Sequence, residues 1–340
     1  MTSKRVRRIA VIYNGFHPRD PRQEHEDDAS ESILIDARRV RDILAKRGDH
    51  AFCIPLLRSV GNFYERLIAS RPDLVFNLCE GAMGDSRHEM NVCSLLELSG
   101  IPYTGCGPLT LGIALDKALT KKLLIVERIP TAPYVVCDGS APCTLARGMR
   151  YPLFVKPLRE DASLGVSQSA FVTNGAGLRE RCRFIVTRYR QPALVEAYIE
   201  GRELNVSIIG NRKPVVLPVS EIDMSRIPEG RPRMCDYRAK WVPDSEEYVT
   251  TVPLCPAPLS RATERMVKET ALACYRVLSC RGYARVDIRL SRTNVPYVLE
   301  VNPNPCIGLD AGIVRSAAAA GISYPDFICR IADLALRGDP

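Results

Sequence analysis

The chain has 340 residues, a length that implies two or three domains around separate cores. Its 46% hydrophobic and 25% charged content is ordinary for a globular protein, and no apolar run reaches the roughly 18 to 20 residues that a membrane span needs. The net charge of +8 leaves polyanion binding open, but the basic clusters at residues 4–8, 38–46 and 179–190 lack interleaved aromatics and any nucleic-acid-binding motif, so they read as solvated faces.

The basic N-terminus is followed only by the short run Ile9-Ala10-Val11-Ile12-Tyr13 and reads as neither signal peptide nor anchor. Patterning then predicts a strand at 9–13, a helix at 32–47 closed by Gly48, a strand at 51–55, a helix at 61–70, a strand at 74–78 and a helix at 89–99 closed by Gly100. Such alternation implies a parallel sheet covered by helices. The polar stretch 14–30 follows the first strand, where open parallel sheets form their ligand crevice. His17, Arg19, Asp20 and His25 are therefore candidates for substrate contact, with an exposed polar insertion as the alternative. His88 and Glu89 start a helix near the same cleft.

A second region begins near Leu109. A helix at 116–127 carries Leu119, Leu123 and Val126 on one stripe, followed by strands at 133–136, 153–156 and 166–172, a helix at 176–189 and a strand at 193–196. The last region reads as strands at 203–209 and 215–219, then a helix at 259–278 capped by Ser260, with Leu259, Ala262, Met266, Ala273 and Val277 as its buried stripe. A hairpin follows, then helices at 312–320 and 326–336. The thirteen cysteines are odd in number, scattered and free of Cys-x-x-Cys pairs, so they read as small buried hydrophobes in a reducing compartment, without zinc spacing.

The hairpin is the most informative feature. In 284–290, Val286, Ile288 and Leu290 alternate with charged residues, and Ser291-Arg292-Thr293-Asn294 separates this run from 296–303. With the turn centred between Arg292 and Thr293, Arg285 faces Glu300, and Asp287 faces Val298 and lies diagonal to Glu300. Arg285, Asp287, Glu300 and Asn302 then share one side of the ribbon. Two carboxylates and an amide oxygen suit Mg²⁺ shared with nucleotide phosphates, and the alternative is an exposed, salt-bridged hairpin. Lys117 opens a helix, and Lys156 ends an apolar strand before Pro157. The loop Arg159-Glu160-Asp161-Ala162-Ser163-Leu164-Gly165 could cradle phosphate with its N–H groups. From Glu196 through Ala197-Tyr198-Ile199 to Glu203, an apolar connector flanked by acids suits a purine and its ribose.

These segments resemble the D-alanine:D-alanine ligase branch of the ATP-grasp superfamily. The similarity runs collinearly through Leu95-Leu96-Glu97-Leu98-Ser99-Gly100-Ile101-Pro102-Tyr103-Thr104-Gly105, Leu115-Asp116-Lys117-Ala118, Phe154-Val155-Lys156-Pro157, Cys235-Asp236-Tyr237-Arg238-Ala239-Lys240-Trp241, Ala284-Arg285-Val286-Asp287 and Leu299-Glu300-Val301-Asn302-Pro303. The resemblance implies an α/β (α+β) ATP-grasp fold, with an N-terminal open parallel sheet at 1–108 and two α+β subdomains, 109–195 and 196–340, clasping ATP. It implies that Lys117 and Lys156 contact phosphates, that Glu196, Ala197, Tyr198 and Ile199 contact the adenine, and that Glu203 contacts the ribose. Asp287, Glu300 and Asn302 would hold two Mg²⁺ ions, or Mn²⁺ in their place. Arg285 would stabilise the developing oxyanion, Lys240 would reach the γ-phosphate from a loop over the site, and Ser163 would join them as a catalytic residue. A small-molecule acid would be activated as an acylphosphate and captured by an amine, in a cytoplasmic enzyme that binds neither nucleic acid nor membrane and resembles homodimers.

Four departures fall on the substrate side. The family's Gly-Gly-x-Ser-x-Glu-Arg-Glu motif is replaced by Asn14-Gly15-Phe16-His17-Pro18-Arg19-Asp20, and its paired serines are Ala162-Ser163 here. A loop tyrosine is Trp241, and a carboxylate-binding serine is Ala311 beside Asp310, which would make an anionic terminus less welcome. The ATP half reads as intact and the amino-acid half as rebuilt. Alternatives are D-alanine:D-alanine ligase itself, in cell-wall synthesis, and an ATP-binding protein of this fold without ligase activity.

Overall fold

The structure is a computed structural model that describes residues 6–15, 26–161 and 163–337. Strand β1 (Arg8–Asn14), helix α1 (Glu26–Lys46), β2 (His50–Leu56), α2 (Val60–Ala69), β3 (Leu74–Leu78) and α3 (Glu89–Leu98) alternate along the chain. The strands form a parallel sheet in the order β2-β1-β3. Along β1, Ile9, Val11 and Tyr13 pack toward Ala37, Val40 and Leu44 of α1, whereas Ala10 and Ile12 pack toward Phe63 and Leu67 of α2 and Val92 and Leu96 of α3. Both faces are covered, which is why this strand is a continuous apolar run rather than an alternating one. The four candidates His17, Arg19, Asp20 and His25 lie outside the described residues, as does Ala162.

Helices α4 (Pro108–Leu115) and α5 (Lys117–Val126) lead to an antiparallel sheet built from β4 (Tyr134–Cys137), β5 (Leu153–Pro157), β6 (Phe171–Val172) and, after α6 (Gly175–Tyr189), β7 (Ala193–Ala197), in the order β4-β7-β5-β6. Val155 and Val195 pack toward Leu178, Cys182 and Ile185 of α6. Alternation turns Lys156 and Glu196, one residue on, to the opposite face. Asp116 caps α5 by accepting from Leu119 N at 3.0 Å. The stripe expected on this helix is corrected: Leu119 and Val126 are exposed, and Lys117, Ala118, Thr120, Lys121 and Leu124 are buried. Its inward face is chosen by buried charge pairs, which a search for apolar spacing overlooks.

The third sheet takes β8 (Gly201–Ile209), β9 (Val215–Val216) and β10 (Ser220–Asp223). The short helices α7 (Tyr237–Trp241) and α8 (Glu246–Thr250) follow, then β11 (Val252–Leu254), α9 (Arg261–Val277), β12 (Tyr283–Ser291) and β13 (Pro296–Asn302). Its order is β11-β10-β8-β12-β13, with β9 paired to β8. Leu204, Val206, Ile208, Val286 and Ile288 form one apolar face beneath α9. Ser260 caps α9, its Oγ accepting from Thr263 N at 3.2 Å, and the helix buries Val267, Ala271, Cys274 and Tyr275, with Leu259, Ala273 and Val277 of the expected stripe packed half-buried against the same core. Ala262 is exposed and Met266 only half-buried, because the helix is rotated to seat Tyr275, whose hydroxyl donates to Gly210 O at 2.5 Å. Two expected strands shrink: a 3-10 turn at Gln168–Ala170 takes the middle of 166–172 and leaves only Phe171–Val172 as strand, and β9 ends at Val216. Helices α10 (Gly312–Ala319) and α11 (Tyr324–Leu336) return to the first sheet, where Ile313, Val314, Phe327, Ile328 and Ile331 join the core of β1 and α1. Among the described residues no helix is long and apolar enough to cross a membrane.

Candidate active site

The β12–β13 hairpin is paired differently from the expected register. Ile288 faces Val298, the ladder slips between Asp287 and Ile288, and beyond the slip Asp287 faces Glu300 and Arg285 faces Asn302. An extra residue, Leu299, is accommodated as a β-bulge. Without it Val298 and Glu300 would share a face. With it, Val298 and Val301 both enter the core beneath α9, while Leu299 and Glu300 both line a cavity on the other side. Arg285, Asp287, Glu300 and Asn302 therefore converge as expected, with the two carboxylates directly opposed rather than diagonal.

Asp287 is held by a fork from Arg285, with Nε at 2.7 Å from Oδ1 and Nη2 at 2.8 Å from Oδ2. Asn205 of β8 donates to Oδ1 at 2.7 Å, and Asn302 Nδ2 donates to Oδ2 at 3.1 Å. Burial opposes charge on Glu300, yet Lys117, Lys156, Lys240 and Arg285 together hold its carboxyl below the usual range, so it is anionic at neutral pH. Lys117 Nζ lies 3.9 Å from Glu300 Oε2, 3.2 Å from Asp161 Oδ1, and donates to Glu160 O at 2.5 Å. The first residue of α5 thus ties the loop at 159–165 to the hairpin.

Across the cavity a buried triad joins Lys121, Glu196 and Lys156. Glu196 Oε1 is 2.5 Å from Lys121 Nζ, and Oε2 is 2.9 Å from Lys156 Nζ. Lys117, Lys121 and Glu196 are each 3% exposed or less, too buried for solvated charges, so each needs its partners. Burial opposes ionisation of Glu196, and the two lysines outweigh it, holding its carboxyl below the usual range.

Lys117, Lys156, Ser163, Glu196, Ala197, Tyr198, Ile199, Glu203, Lys240, Asp287 and Glu300 all line this one cavity, between the second and third sheets. Arg285 and Asn302 line the larger cleft beside it, which Glu203, Lys240 and Asp287 also border. Ser163 sits in the left-handed region at φ 62°. Gly165, at φ 71°, closes the same loop, and a Cβ there would meet Pro157 Cγ at 2.6 Å. Arg181 of α6 donates to Gly165 O and holds the loop to its sheet.

Sequence reasoning passed over four side chains here. Lys121 was hidden by its helix. Arg289 donates to Ile199 O at 3.1 Å and to Glu203 Oε2 at 3.1 Å, bracing the connector, and strand parity with Arg285 and Asp287 could have found it. Arg315 and Glu80 line the larger cleft. Arg315 Nη1 donates to Asp310 O at 2.8 Å, and its buried Nε has no partner among the described residues. Solvent reaches Glu80 from the cleft, yet crowding by the cleft walls, then Asp161 and Asp36, push its carboxyl up to about 7. Glu89 starts α3 as expected and accepts from Asn304 Nδ2 at 3.0 Å.

The family model described as "D-ala D-ala ligase C-terminus" matches residues 136–333. An uncharacterized protein, y4sG, of Sinorhizobium fredii is 36% identical over 270 residues, 79% of this chain and 76% of that one. A D-alanine--D-alanine ligase of Moorella thermoacetica is 30% identical over 338 residues, 97% of this chain and 99% of its own. The crystal structure of D-alanine--D-alanine ligase from Bacillus anthracis complexed with ATP superposes with a TM-score of 0.74 at 25% identity, covering 98% of both chains. Two antiparallel sheets facing each other across a cavity of lysines and carboxylates make this an ATP-grasp enzyme, of the ligase class. The chain belongs to the D-alanine--D-alanine ligase family of that fold.

Proposed function

We propose that the protein joins a carboxylate to an amine at the expense of ATP, through an acylphosphate, releasing ADP and phosphate. The observation that carries this reading is the direct opposition of Asp287 and Glu300 across the bulged hairpin, facing Lys117 and Lys156. The oxygen donors of Asp287, Glu300 and Asn302 fit one or two Mg²⁺ ions, and the ionised state of Glu300 favours a hard divalent cation. Such ions, when bound, neutralise the triphosphate during transfer. Lys117 and Lys156 would draw charge from the phosphates, the 197–199 connector braced by Arg289 would receive the base, and Glu203 the ribose. Arg285, fixed by Asp287, would meet the developing oxyanion. Lys240 and Ser163 would complete the phosphoryl side, in a cytoplasmic enzyme working as a homodimer.

The larger cleft favours amino-acid substrates. Ala311 removes a hydroxyl from the start of α10, but Arg315 brings a guanidinium to the same turn, beside Gly312 and near Arg285. An acceptor whose own carboxylate docks between Arg285 and Arg315 would satisfy the unpaired Nε. Glu80, poised near neutrality, is suited to take the proton from the incoming ammonium. D-Alanine is one such acceptor, and the D-alanine--D-alanine ligases among the relatives favour including it. The test is a panel of amino-acid pairs with Mg²⁺ and ATP, read by mass spectrometry. A condensed product formed with stoichiometric ADP supports the reading, and ATP binding without any product in the panel opposes it.

A further inference from the structure

Three cysteines from three separate segments meet on the far side of the second sheet. Cys137 closes β4 opposite Ala193 of β7, Cys182 lies on α6 between Leu178 and Ile185, and Cys143 comes from the connector after β4. Their sulfur atoms all lie within 4.8 Å of one another. Cys137 and Cys182 are buried, and Cys143 is half-buried, which gives the group an edge that a small molecule can reach. All are free thiols. The sheet separates them from the nucleotide side, since Val155 and Val195 face α6 while Lys156 and Glu196 face the cavity.

We propose that Cys137, Cys143 and Cys182 form a soft-ion site that takes trivalent arsenic, supplied as arsenous acid. Three facing thiols match a trigonal all-sulfur donor set. The surroundings select the charge: the packed neighbours are Val135, Leu145, Met149, Leu178 and Ile185, and adjacent Arg181 is directed at the carbonyls of Val155 and Gly165. Zinc on three thiolates would leave a net negative charge in this apolar core. Arsenous acid avoids that. Three S–H and three As–O bonds break, three As–S bonds form, three waters leave, nothing is oxidised or reduced, and the adduct is neutral. The tie would join the end of β4, its connector and α6, and so stiffen the layer that carries Lys156 and Glu196 without entering their cavity.

The experiment adds arsenite to the reduced full-length chain and reads native mass spectrometry together with the melting temperature. One arsenic per chain, less three hydrogens, and a higher melting temperature are expected. Cys143→Ser and Cys182→Ser should each lose both effects, whereas Cys106→Ser, which breaks a separate buried thiol pair, and Cys306→Ser, at an exposed thiol, should keep them. Cys143 is the least buried of the three, so its variant remains readable if Cys182→Ser fails to fold. No adduct on the wild type, an undiminished adduct in Cys143→Ser, or loss in Cys106→Ser or Cys306→Ser would overturn the assignment.

Discussion

At the scale of single residues, the chemistry rests on charges that could not be buried alone. Glu300 faces Asp287 on one wall and is flanked by lysines on the other, so Glu300→Gln should lower turnover by about 100-fold or more while leaving the fold intact. Turnover within threefold of wild type would remove Glu300 from the ion-binding set. The folded-state pKa of this carboxyl lies below its unfolded value of about 4.3, so its contribution to stability is complete above that pH and is lost as pH falls through the folded value. Glu80 has the opposite sign. Its pKa of about 7 lies above the unfolded value, so the stability it contributes in its protonated form is present below about 4.3 and lost as pH rises through 7. Glu80→Gln should therefore flatten the stability profile between pH 5 and 8, and superimposable melting profiles for the two proteins would refute this. Arg315→Met should raise KM for the acceptor about tenfold, the equivalent of about 1.4 kcal/mol, with KM for ATP unchanged. Parallel rises in both constants would point to a general loss of structure instead. Much of the site was legible because strand parity constrains charged residues strongly: Arg285, Asp287, Glu300 and Asn302 were placed on one face from alternation alone. Lys121 was not, because a lysine in helical spacing reads as solvated until a buried acid from a distant strand is known to meet it, and Arg315 was not, because nothing local shows that α10 turns it into the cleft.

At the scale of elements, backbone geometry does more than propensity. Gly201 opens β8 at φ 157°, and a Cβ there would lie 1.9 Å from Leu290 O of the neighbouring strand. Gly201→Ala should force β8 from β12 and cost about 2 to 3 kcal/mol, read as a lower denaturant midpoint. An unchanged midpoint would mean that the sheet yields there without cost. Strand and helix types came largely from period, as in β12, where Val286 and Ile288 alternate with charge, and in α9, where Ser260 marks the start. Helix rotation came only in part: Ala273 and Val277 reach the core of α9 as expected, but its fully buried line is Val267, Ala271 and Cys274, set by Tyr275, which reaches Gly210 O, a partner 65 residues away. The expected seam between residues 195 and 196 falls inside β7, since Ala193–Ala197 pairs with both β4 and β5. The bulge at Leu299 was hidden for a related reason, because no local residue type announces it and only the facing strand reveals the extra residue.

Across the whole molecule, the architecture follows from three sheets that each bury one or both faces, and from a C-terminus that returns to the start. Alternating strand and helix patterns announced the N-terminal parallel sheet, and the collinear motifs announced the nucleotide-binding halves. The return of α10 and α11 to the core of β1 and α1 was illegible, because a core that includes both Ile9 and Phe327 joins segments from nearly opposite ends of the chain. That closure brings Arg315 and Asp310 of the C-terminal segment to the cleft bordered by Glu80 and Asp36 of the first layer. ATP with Mg²⁺ at 100 times its dissociation constant should stabilise this assembly by about 2.7 kcal/mol, visible as a raised melting temperature that Glu300→Gln diminishes. The most direct test of the central claim follows oxygen. Amino acids labelled with ¹⁸O in the carboxylate, D-alanine included, are incubated in pairs with the protein, Mg²⁺ and ATP, and both the released phosphate and any amide are analysed by mass spectrometry. The account requires an amide product and one ¹⁸O transferred into each phosphate released. Amide formation with unlabelled phosphate would contradict it.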